Sequence, residues 1–303
     1  KHKALGKYNA DFGNELYVIE ERPDDGFLDV ESFGKPDAIE STSDLMKNLR
    51  KDEKYQMDED AFIRARLFDM ILGDWDRHQD QWRWSRFDMS SDKKVYRPIP
   101  RDRDQVFSFY DGALLDIVRV LIPSAKQLQK YGDEIKDIKW LNAAGIKLDR
   151  TFVQNASKDE WLKQAAFIKE NLTDSAIDQA FLNLPKEVQD SSSEEIKTKL
   201  KSRRDQVLEV AGRYYDYLSK LVIITGTDKD DHFEITRGNG STKISVSRIK
   251  NGEKTAPYKE RVIHSNETKE VWIYGLDDDD QFVVNGKGSN PVFVLSLIHI
   301  SEP

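Results

Sequence analysis

The stretch DEDAFIRARLFDMILGDWDRHQDQWRW (residues 58–84) runs from an apolar segment directly into a dense group of charges. Asp58 and Glu59 are acidic residues of the kind that favour a helix start. Apolar positions then recur at the 3–4 spacing of a buried helical face: Phe62, Ala65, Phe68 or Asp69, and Leu72. Gly73 is typical of a helix end. We therefore predict a helix over residues 58–74 that leads into a charged loop.

The residues after this loop predict a β-hairpin over 81–107. Trp82, Trp84 and Phe87 nearly alternate with polar residues, and Ser90-Ser91-Asp92 has the composition of a turn. We interpret the two tryptophans as hairpin core rather than as a platform for a ligand. The hairpin ends in PIPRDRDQVF (98–107), which supplies a second group of acids.

The rest of the chain predicts an α+β protein. ELYVIEERP (15–23) is strand-like, residues 41–52 are helix-like, and most of 112–225 has helical patterning. Residues 193–222 predict one long amphipathic helix with these residues on its apolar side: Leu200, Val207, Leu208, Ala211, Tyr215 and Leu218. Period-2 alternation with Gly and Asn turns begins near Thr225. We predict a mainly helical lobe with a β-hairpin active-site region over residues 1–225, followed by a small, truncated β domain over 226–294. No internal repeat is evident.

Composition excludes several classes of function. The 303 residues carry a net charge of −8, which argues against a general nucleic-acid binder. The chain has no cysteine, so disulfides and thiolate metal sites are excluded. No apolar run approaches the roughly 18 residues that indicate a transmembrane helix.

Both ends of the sequence indicate a fragment of a longer gene. The chain starts with KHKALGK, without an initiator Met or a signal peptide. Its last nine residues, LSLIHISEP (295–303), resemble the translation of a sequencing-library adapter. We therefore expect residues 295–303 to be an artefact that plays no part in the fold.

The two groups of acids have a layout that phosphoryl transfer can use. One carboxylate orients the hydroxyl group and accepts its proton, while another holds the divalent metal ion that bridges the phosphates. Carboxylate oxygens suit magnesium or manganese. The protein then contributes mainly positioning and charge neutralisation.

GDWDRHQDQW (73–82) resembles the catalytic loop of atypical kinases, the group that includes HipA-like, spore-coat CotH-like and certain secreted kinases. PIPRDRDQVF (98–107) resembles their metal-binding segment. The combined run is similar to a region of long Bacteroidetes surface proteins that are often labelled as metallophosphoesterases. The resemblance covers about residues 10–290, but its specific motifs occupy only 66–107. It implies a kinase-like C-terminal lobe, a periplasmic or cell-surface location, and other domains of the same parent chain as partners.

The resemblance also implies roles for individual residues. Asp76 matches the catalytic aspartate, and Arg77 and His78 match the pair that orients the loop. The metal aspartate is Asp102 or Asp104; we favour Asp104 because Val106 and Phe107 follow it like a buried anchor. Gln81 stands where the family usually has a metal-binding Asn. The implied cofactors are ATP and Mg²⁺ or Mn²⁺, with a protein or small-molecule hydroxyl as the substrate.

The strand at 15–23 falls where the resemblance places the hinge that contacts adenine, through the backbone of Ile19, Glu20 and Glu21. The phosphate-covering loop and the phosphate-binding lysine of such kinases should precede this hinge. Lys3 and Lys7 are too close to it to serve. We therefore predict that residues 1–294 alone do not transfer phosphate. Robust MgATP-dependent phosphotransfer by this segment would contradict that expectation.

Four other interpretations remain open on sequence grounds. The loop could be a charged turn that caps a helix, with Arg101 and Arg103 pairing with the neighbouring aspartates. It could belong to a calcineurin-type phosphatase, although the required DxH and GNHE motifs are absent or misplaced. The lobe could be a non-catalytic scaffold within a phosphoesterase or surface protein. The acidic runs DKDDH (228–232) and GLDDDDQF (275–282) could bind calcium, but solvated turns are the better interpretation.

Overall fold

The computed structural model of the protein describes residue 7 and residues 21–297. It confirms the α+β class, because helices and mixed sheets both contribute extensively. Apolar residues are buried in two separate clusters, one between residues 45 and 218 and the other between residues 222 and 292. The charged loop lies against the first of these clusters.

The predicted hairpin forms the centre of a four-stranded sheet with the order β1-β3-β4-β2. Strands β3 and β4 are antiparallel, whereas β2 runs parallel to β4. Trp82 and Trp84 are fully buried and lie against Phe62, which confirms them as hairpin core. The strands of this sheet are β1 (Ala38–Glu40), β2 (Tyr55–Met57), β3 (Trp82–Ser90) and β4 (Lys93–Pro100).

Nine α-helices lie within the part of the chain that the structure describes. The helices predicted over 41–52 and 58–74 are confirmed as α1 and α2. The full set is α1 (Thr42–Lys51), α2 (Glu59–Leu72), α3 (Ala113–Leu121), α4 (Ile138–Leu141), α5 (Ile146–Phe152), α6 (Lys158–Asn171), α7 (Asp174–Leu182), α8 (Ser191–Asp205) and α9 (Val207–Leu218).

Helix α2 positions the charged loop because both of its ends are fixed. Asp58 caps its start by accepting a hydrogen bond from the Ala61 amide at 3.0 Å. Gly73 ends it with φ +77°, a left-handed conformation that disfavours residues with a Cβ. A Cβ at this position would also lie only 2.8 Å from the Tyr131 ring. The chain therefore leaves α2 at a defined point and in a defined direction.

The single long helix predicted over the C-terminal part of the helical region is instead two helices, α8 and α9. They meet at Gln206, whose side-chain amide nitrogen donates to the backbone carbonyl of Asp133 and to the hydroxyl of Ser202. Leu208, predicted on the buried side, is exposed because the break turns it towards solvent, while Val207 is fully buried.

The β module begins slightly earlier than the sequence indicated. Strand β5 (Leu221–Thr225) pairs with β9 (Glu270–Tyr274), so it belongs to the β module. A second sheet has the order β10-β6-β7-β8. Its strands are β6 (Asp231–Gly238), β7 (Ser241–Lys250), β8 (Glu253–His264) and β10 (Gln281–Asn285).

The structure reveals an internal repeat that was not evident in the sequence. Strand β9 pairs in parallel with β5, and β10 pairs in parallel with β6. In both pairs the partner residues are the same number of positions apart in the sequence, as Val222 is from Val271 and Phe233 from Phe282. The two phenylalanine rings stack at 4.6 Å. The repeat is hard to recognise because the β7–β8 hairpin separates the two units in the sequence.

The acidic runs are the turns of these two units, and their carboxylates bind backbone amides. Asp231 accepts hydrogen bonds from the Thr227 amide at 2.6 Å and the Thr227 hydroxyl at 2.9 Å. Asp280 accepts from the Asp231 amide at 2.9 Å, and Asp230 from the Asp279 amide at 3.2 Å. These bonds give the acids a structural role in the turns.

The segment predicted to be an artefact contributes to the fold. Strand β11 (Phe293–Leu297) pairs in parallel with β9, so residues 295–297 extend the sheet of β5 and β9. An apolar, alternating sequence can add to a sheet edge whatever its origin.

Of the helices in the described ranges, not one is both long enough and apolar enough to cross a membrane.

Candidate functional site

The loop Gly73–Trp82 is not a solvated turn. Asp74 and Arg77 each have only 1% of their surface exposed, and Gln81 is also buried. Burying charges is costly unless they are paired and hydrogen-bonded. Asp74 and Arg77 are therefore built into the core, which a simple helix-capping turn would not require.

Arg77 ties the loop to the segment that follows the hairpin. Its guanidinium donates to the carbonyl of Arg101 at 2.7 Å and to the carbonyl of Gln81 at 3.0 Å. It also pairs with Asp74 at 3.3 Å and lies 4.4 Å from the centre of the Trp82 ring. The planar guanidinium satisfies several acceptors in fixed directions, which a lysine could not do. Arg77 thus connects the loop to the segment after the hairpin, and the loop-orienting role that the resemblance implies for it stays a prediction.

Asp69 in α2 is the centre of the charge network beneath the loop. One of its oxygens accepts from Arg103 at 2.9 Å, and the other lies 3.1 Å from Arg77 and 3.7 Å from Arg66. Arg103 therefore pairs with Asp69 and not with Asp104, contrary to the simple pairing considered from sequence. This carboxylate joins the helix, the loop and the segment after the hairpin.

A second carboxylate supports this network from α5. Arg66 donates to both oxygens of Asp149, at 2.7 and 3.0 Å, and to the side-chain oxygen of Asn142 at 2.8 Å. The hydroxyl of Tyr214 donates to Asp149. None of these side chains was among the sequence-based candidates, and they lock α2 against the later helices.

Asp76 and His78 lie at the more open side of the loop. The Asp76 side chain is 29% exposed, and its carboxylate is 3.8 Å from the His78 ring. The Asp76 amide donates to Asp74 at 3.3 Å. His78 accepts from the Asp80 amide at 3.3 Å, which starts the short turn Gln79–Gln81. A substrate could therefore reach Asp76 as well as the more exposed Asp80, and buried groups hold the backbone of Asp76.

Two of the predicted metal ligands meet. The side-chain amide of Gln81 is 3.1 Å from a carboxylate oxygen of Asp102. Asp102 is exposed and has φ +52°, a conformation that Asp and Asn tolerate better than most residues. Asp104 is exposed. Val106 and Phe107 pack against the core, and the Phe107 amide donates to the Leu72 carbonyl at 3.1 Å.

The described residues contain no group of three or more His, Cys, Asp or Glu side chains that could hold a metal ion. Asp102 and Gln81 offer one carboxylate and one amide oxygen. Such a pair does not make an all-protein metal cage, but it fits a Mg²⁺ or Mn²⁺ ion that takes its remaining ligands from phosphates and water. The side-chain oxygen of Gln81 would face the metal ion after a rotation of the amide group that exchanges its nitrogen and oxygen atoms.

The predicted adenine-contacting strand is largely outside the described residues, since Ile19 and Glu20 fall there. Glu21 is described, is exposed, and lies in irregular backbone that continues to Pro23. Its carboxylate accepts from the Ser32 hydroxyl at 2.6 Å. The end of the predicted strand is therefore not regular structure.

Asp74 is the group in this site whose ionisation should affect stability most clearly. Burial and the neighbouring Asp69 raise its pKa from 3.8 to about 6, although Arg77 opposes the shift. The folded state therefore binds a proton more tightly than the unfolded state, so this group weakens stability as pH rises from about 4 to 6.

We expect Asp74→Asn to remove this dependence. The unfolding free energy of the parent minus that of the variant should fall by about 2–3 kcal/mol between pH 4 and 6.5 and then level off. Denaturant unfolding across this pH range measures the difference. A difference that rises with pH would contradict the assignment.

The residues that sequence reasoning missed share one signal. Asp69 lies inside the apolar face of α2, three positions after Arg66, and Asp149 lies between apolar residues of α5. A charge inside an apolar helical face indicates a buried pair. The partner of each carboxylate comes from a distant part of the chain, so the pairing itself could not be predicted.

Comparison of the chain with family models, with curated proteins and with solved structures found no match to any of them.

Proposed function

We propose that the loop Gly73–Trp82 and the segment Arg101–Gln105 form a site for a nucleotide and a divalent metal ion, at which phosphate is transferred to a hydroxyl group. The observation that carries the proposal is the junction of the two segments. Arg77 donates to the carbonyls of both Arg101 and Gln81, and Gln81 contacts Asp102. The acids Asp76 and Asp102, held on two segments joined in this way, suit phosphoryl transfer, in which positioning supplies most of the catalysis.

Asp102 and Gln81 would hold the metal ion, which supplies neutralisation of the phosphate charge. Geometry favours Asp102 over Asp104, because only Asp102 has a contact with Gln81. The Nε atom of Arg101 is buried and has no hydrogen-bond partner among the residues that the structure describes. A guanidinium next to Asp102 is well suited to a phosphate oxygen.

Asp76 would orient the attacking hydroxyl. The hydroxyl oxygen forms a bond to the terminal phosphorus as the bond to the leaving diphosphate oxygen breaks, and the hydroxyl proton passes to Asp76. The partial exposure of Asp76 allows a substrate to approach it, while the buried Asp74 and Arg77 hold its backbone. His78 lies close enough to influence the orientation of this carboxylate.

The competing proposal is a non-catalytic scaffold, within a protein that also carries phosphoesterase or surface domains. The observation that favours it is that Asp69, Asp74 and the arginines around them form ion pairs with one another, as a purely structural network would. Both proposals share the periplasmic or cell-surface location that the sequence resemblance implies.

Calorimetric titration with ATP and Mg²⁺ separates the proposed roles. Asp76→Asn should bind ATP about as tightly as the parent chain, since Asp76 acts on the hydroxyl substrate. Asp102→Asn should bind about tenfold or more weakly, since it loses a metal ligand. Equal binding by Asp102→Asn and the parent would contradict the metal role, and no binding by any of the three would support the scaffold.

A further inference from the structure

A cavity of about 540 Å³ lies between the helical part and the β module. Helices α1 and α2 and the end of α5 form one side, and strands of the β module form the other. This volume and this mixture of apolar and polar walls are typical of small-molecule sites. No residue of the loop 73–82 lines it. Its main apolar walls are Met46, Leu49, Tyr55, Met57, Phe152 and Tyr274.

Apart from the exposed Lys47, the charged residues at the margins of the cavity neutralise one another. Arg50 pairs with Asp228 at 3.2 Å. Glu53 pairs with Lys250 at 2.7 Å and with Arg248 at 3.3 Å. These groups therefore contribute little net charge to the interior of the cavity.

The carboxylate of Glu59, at the start of α2, accepts hydrogen bonds from backbone amides. The donors are the amides of Gln154, Asn155 and Ala156 at 3.2, 3.1 and 2.9 Å. Burial raises the pKa of this carboxyl despite those bonds. Glu59 thus anchors the chain after α5 and has little capacity left to compensate a cation.

Lys259 of β8 is the cation that remains inside the cavity, whereas Lys47 lines it from the exposed surface of α1. Its ammonium donates to the side-chain oxygen of Gln154 at 2.8 Å, to the carbonyl of Thr225 at 2.7 Å and, at the longer distance of 3.3 Å, to the Thr225 hydroxyl. All three acceptors are neutral, and a ligand carboxylate would replace the longest of these contacts. Within the described ranges no carboxylate lies at ion-pair distance from it. Burial lowers the pKa of Lys259 to about 8, since attraction by Glu59 and Asp231 does not offset the loss of water. At neutral pH it still carries its charge.

We propose that this cavity binds a small organic acid with an apolar or aromatic body, whose carboxylate faces Lys259. The body would contact Met46, Met57 and Phe152, and the carboxylate would supply the negative charge that the wall lacks. A charge-assisted hydrogen bond in a sheltered site is stronger than one between neutral groups. Acids should therefore bind in preference to neutral molecules of the same shape.

Naphthoate and naphthamide test this preference, because they differ mainly in charge. By calorimetry, naphthoate should bind the chain about tenfold or more tightly than naphthamide, as expected for one charge-assisted hydrogen bond. In Lys259→Met the two affinities should become nearly equal. Equal affinities in the parent chain, or no binding of either compound, would overturn the proposal.

Two further variants locate the site without altering the lysine. Met46→Trp should fill the cavity and abolish binding of both compounds. Met89→Trp places the same ring on the exposed end of β3 and should leave both affinities unchanged. Naphthoate binding that survives both Lys259→Met and Met46→Trp would place the ligand elsewhere and overturn the proposal.

Discussion

Replacing Arg77 by methionine should lower the free energy of unfolding by about 3–5 kcal/mol, the usual cost of removing one partner from a buried ion pair. Arg77 is 1% exposed and contacts Asp69, Asp74 and two backbone carbonyls. Methionine restores the volume but none of the donors. Denaturant unfolding at neutral pH measures the effect.

The same substitution should release the segment 101–105 from the loop, because Arg77 donates to the carbonyl of Arg101. Arg77→Lys should recover only part of the lost stability, since one ammonium cannot reach all of these acceptors. Arg97→Met is the matched control, because Arg97 forms a 2.9 Å pair with Asp58 on the surface. That pair should be worth less than about 1 kcal/mol. Equal destabilisation by the two methionine variants would contradict the account.

Asp149→Ala should be about as destabilising as Arg77→Met, at about 3–5 kcal/mol. Arg66 is 1% exposed, and the variant would leave its guanidinium without the two oxygens of Asp149. Tyr214 would lose its hydrogen-bond acceptor at the same time. Chemical unfolding of the variant and the parent at the same pH measures the difference.

Asp216→Ala is the control for this second prediction. Asp216 forms a 2.8 Å pair with Lys158, but it is 53% exposed, so its removal should cost less than about 1 kcal/mol. The double variant Arg66→Met with Asp149→Ala should be more stable than Asp149→Ala alone, because it also removes a buried charge whose remaining ion pair would be only the 3.7 Å contact with Asp69. If the double variant were the less stable of the two, the ion pair would not explain the effect.

The elements that the sequence predicted correctly are those specified by local pattern. Helix α2 has a capping aspartate, an apolar face and a terminal glycine within one short stretch, and the β3–β4 hairpin has alternation around a polar turn. The long predicted helix was wrong because Gln206 breaks it through contacts with Asp133 and Ser202. The Asp133 contact lies far from Gln206 in sequence, so no local pattern contains it.

The candidate site shows the same division. The resemblance pointed to Arg77 and Gln81, and both are buried at the junction of two segments. It favoured Asp104 over Asp102, whereas Asp102 is the one beside Gln81. The two residues are separated by a single position, and the choice between them depends on the turn at Asp102, where φ is +52°. Sequence spacing alone does not determine such a turn.

The most direct test of the central claim is a titration of the chain with Mn²⁺ in the presence of ATP, in which electron paramagnetic resonance measures the bound Mn²⁺. The same titration is carried out on Asp102→Asn and Asp104→Asn. Asparagine tolerates the backbone of Asp102, so the first variant changes the charge and not the fold. We predict that ATP increases the Mn²⁺ held by the parent chain. Asp102→Asn should weaken this binding about tenfold or more, and Asp104→Asn should change it less than about twofold. Binding that is the same in the parent and in Asp102→Asn would contradict the proposed site.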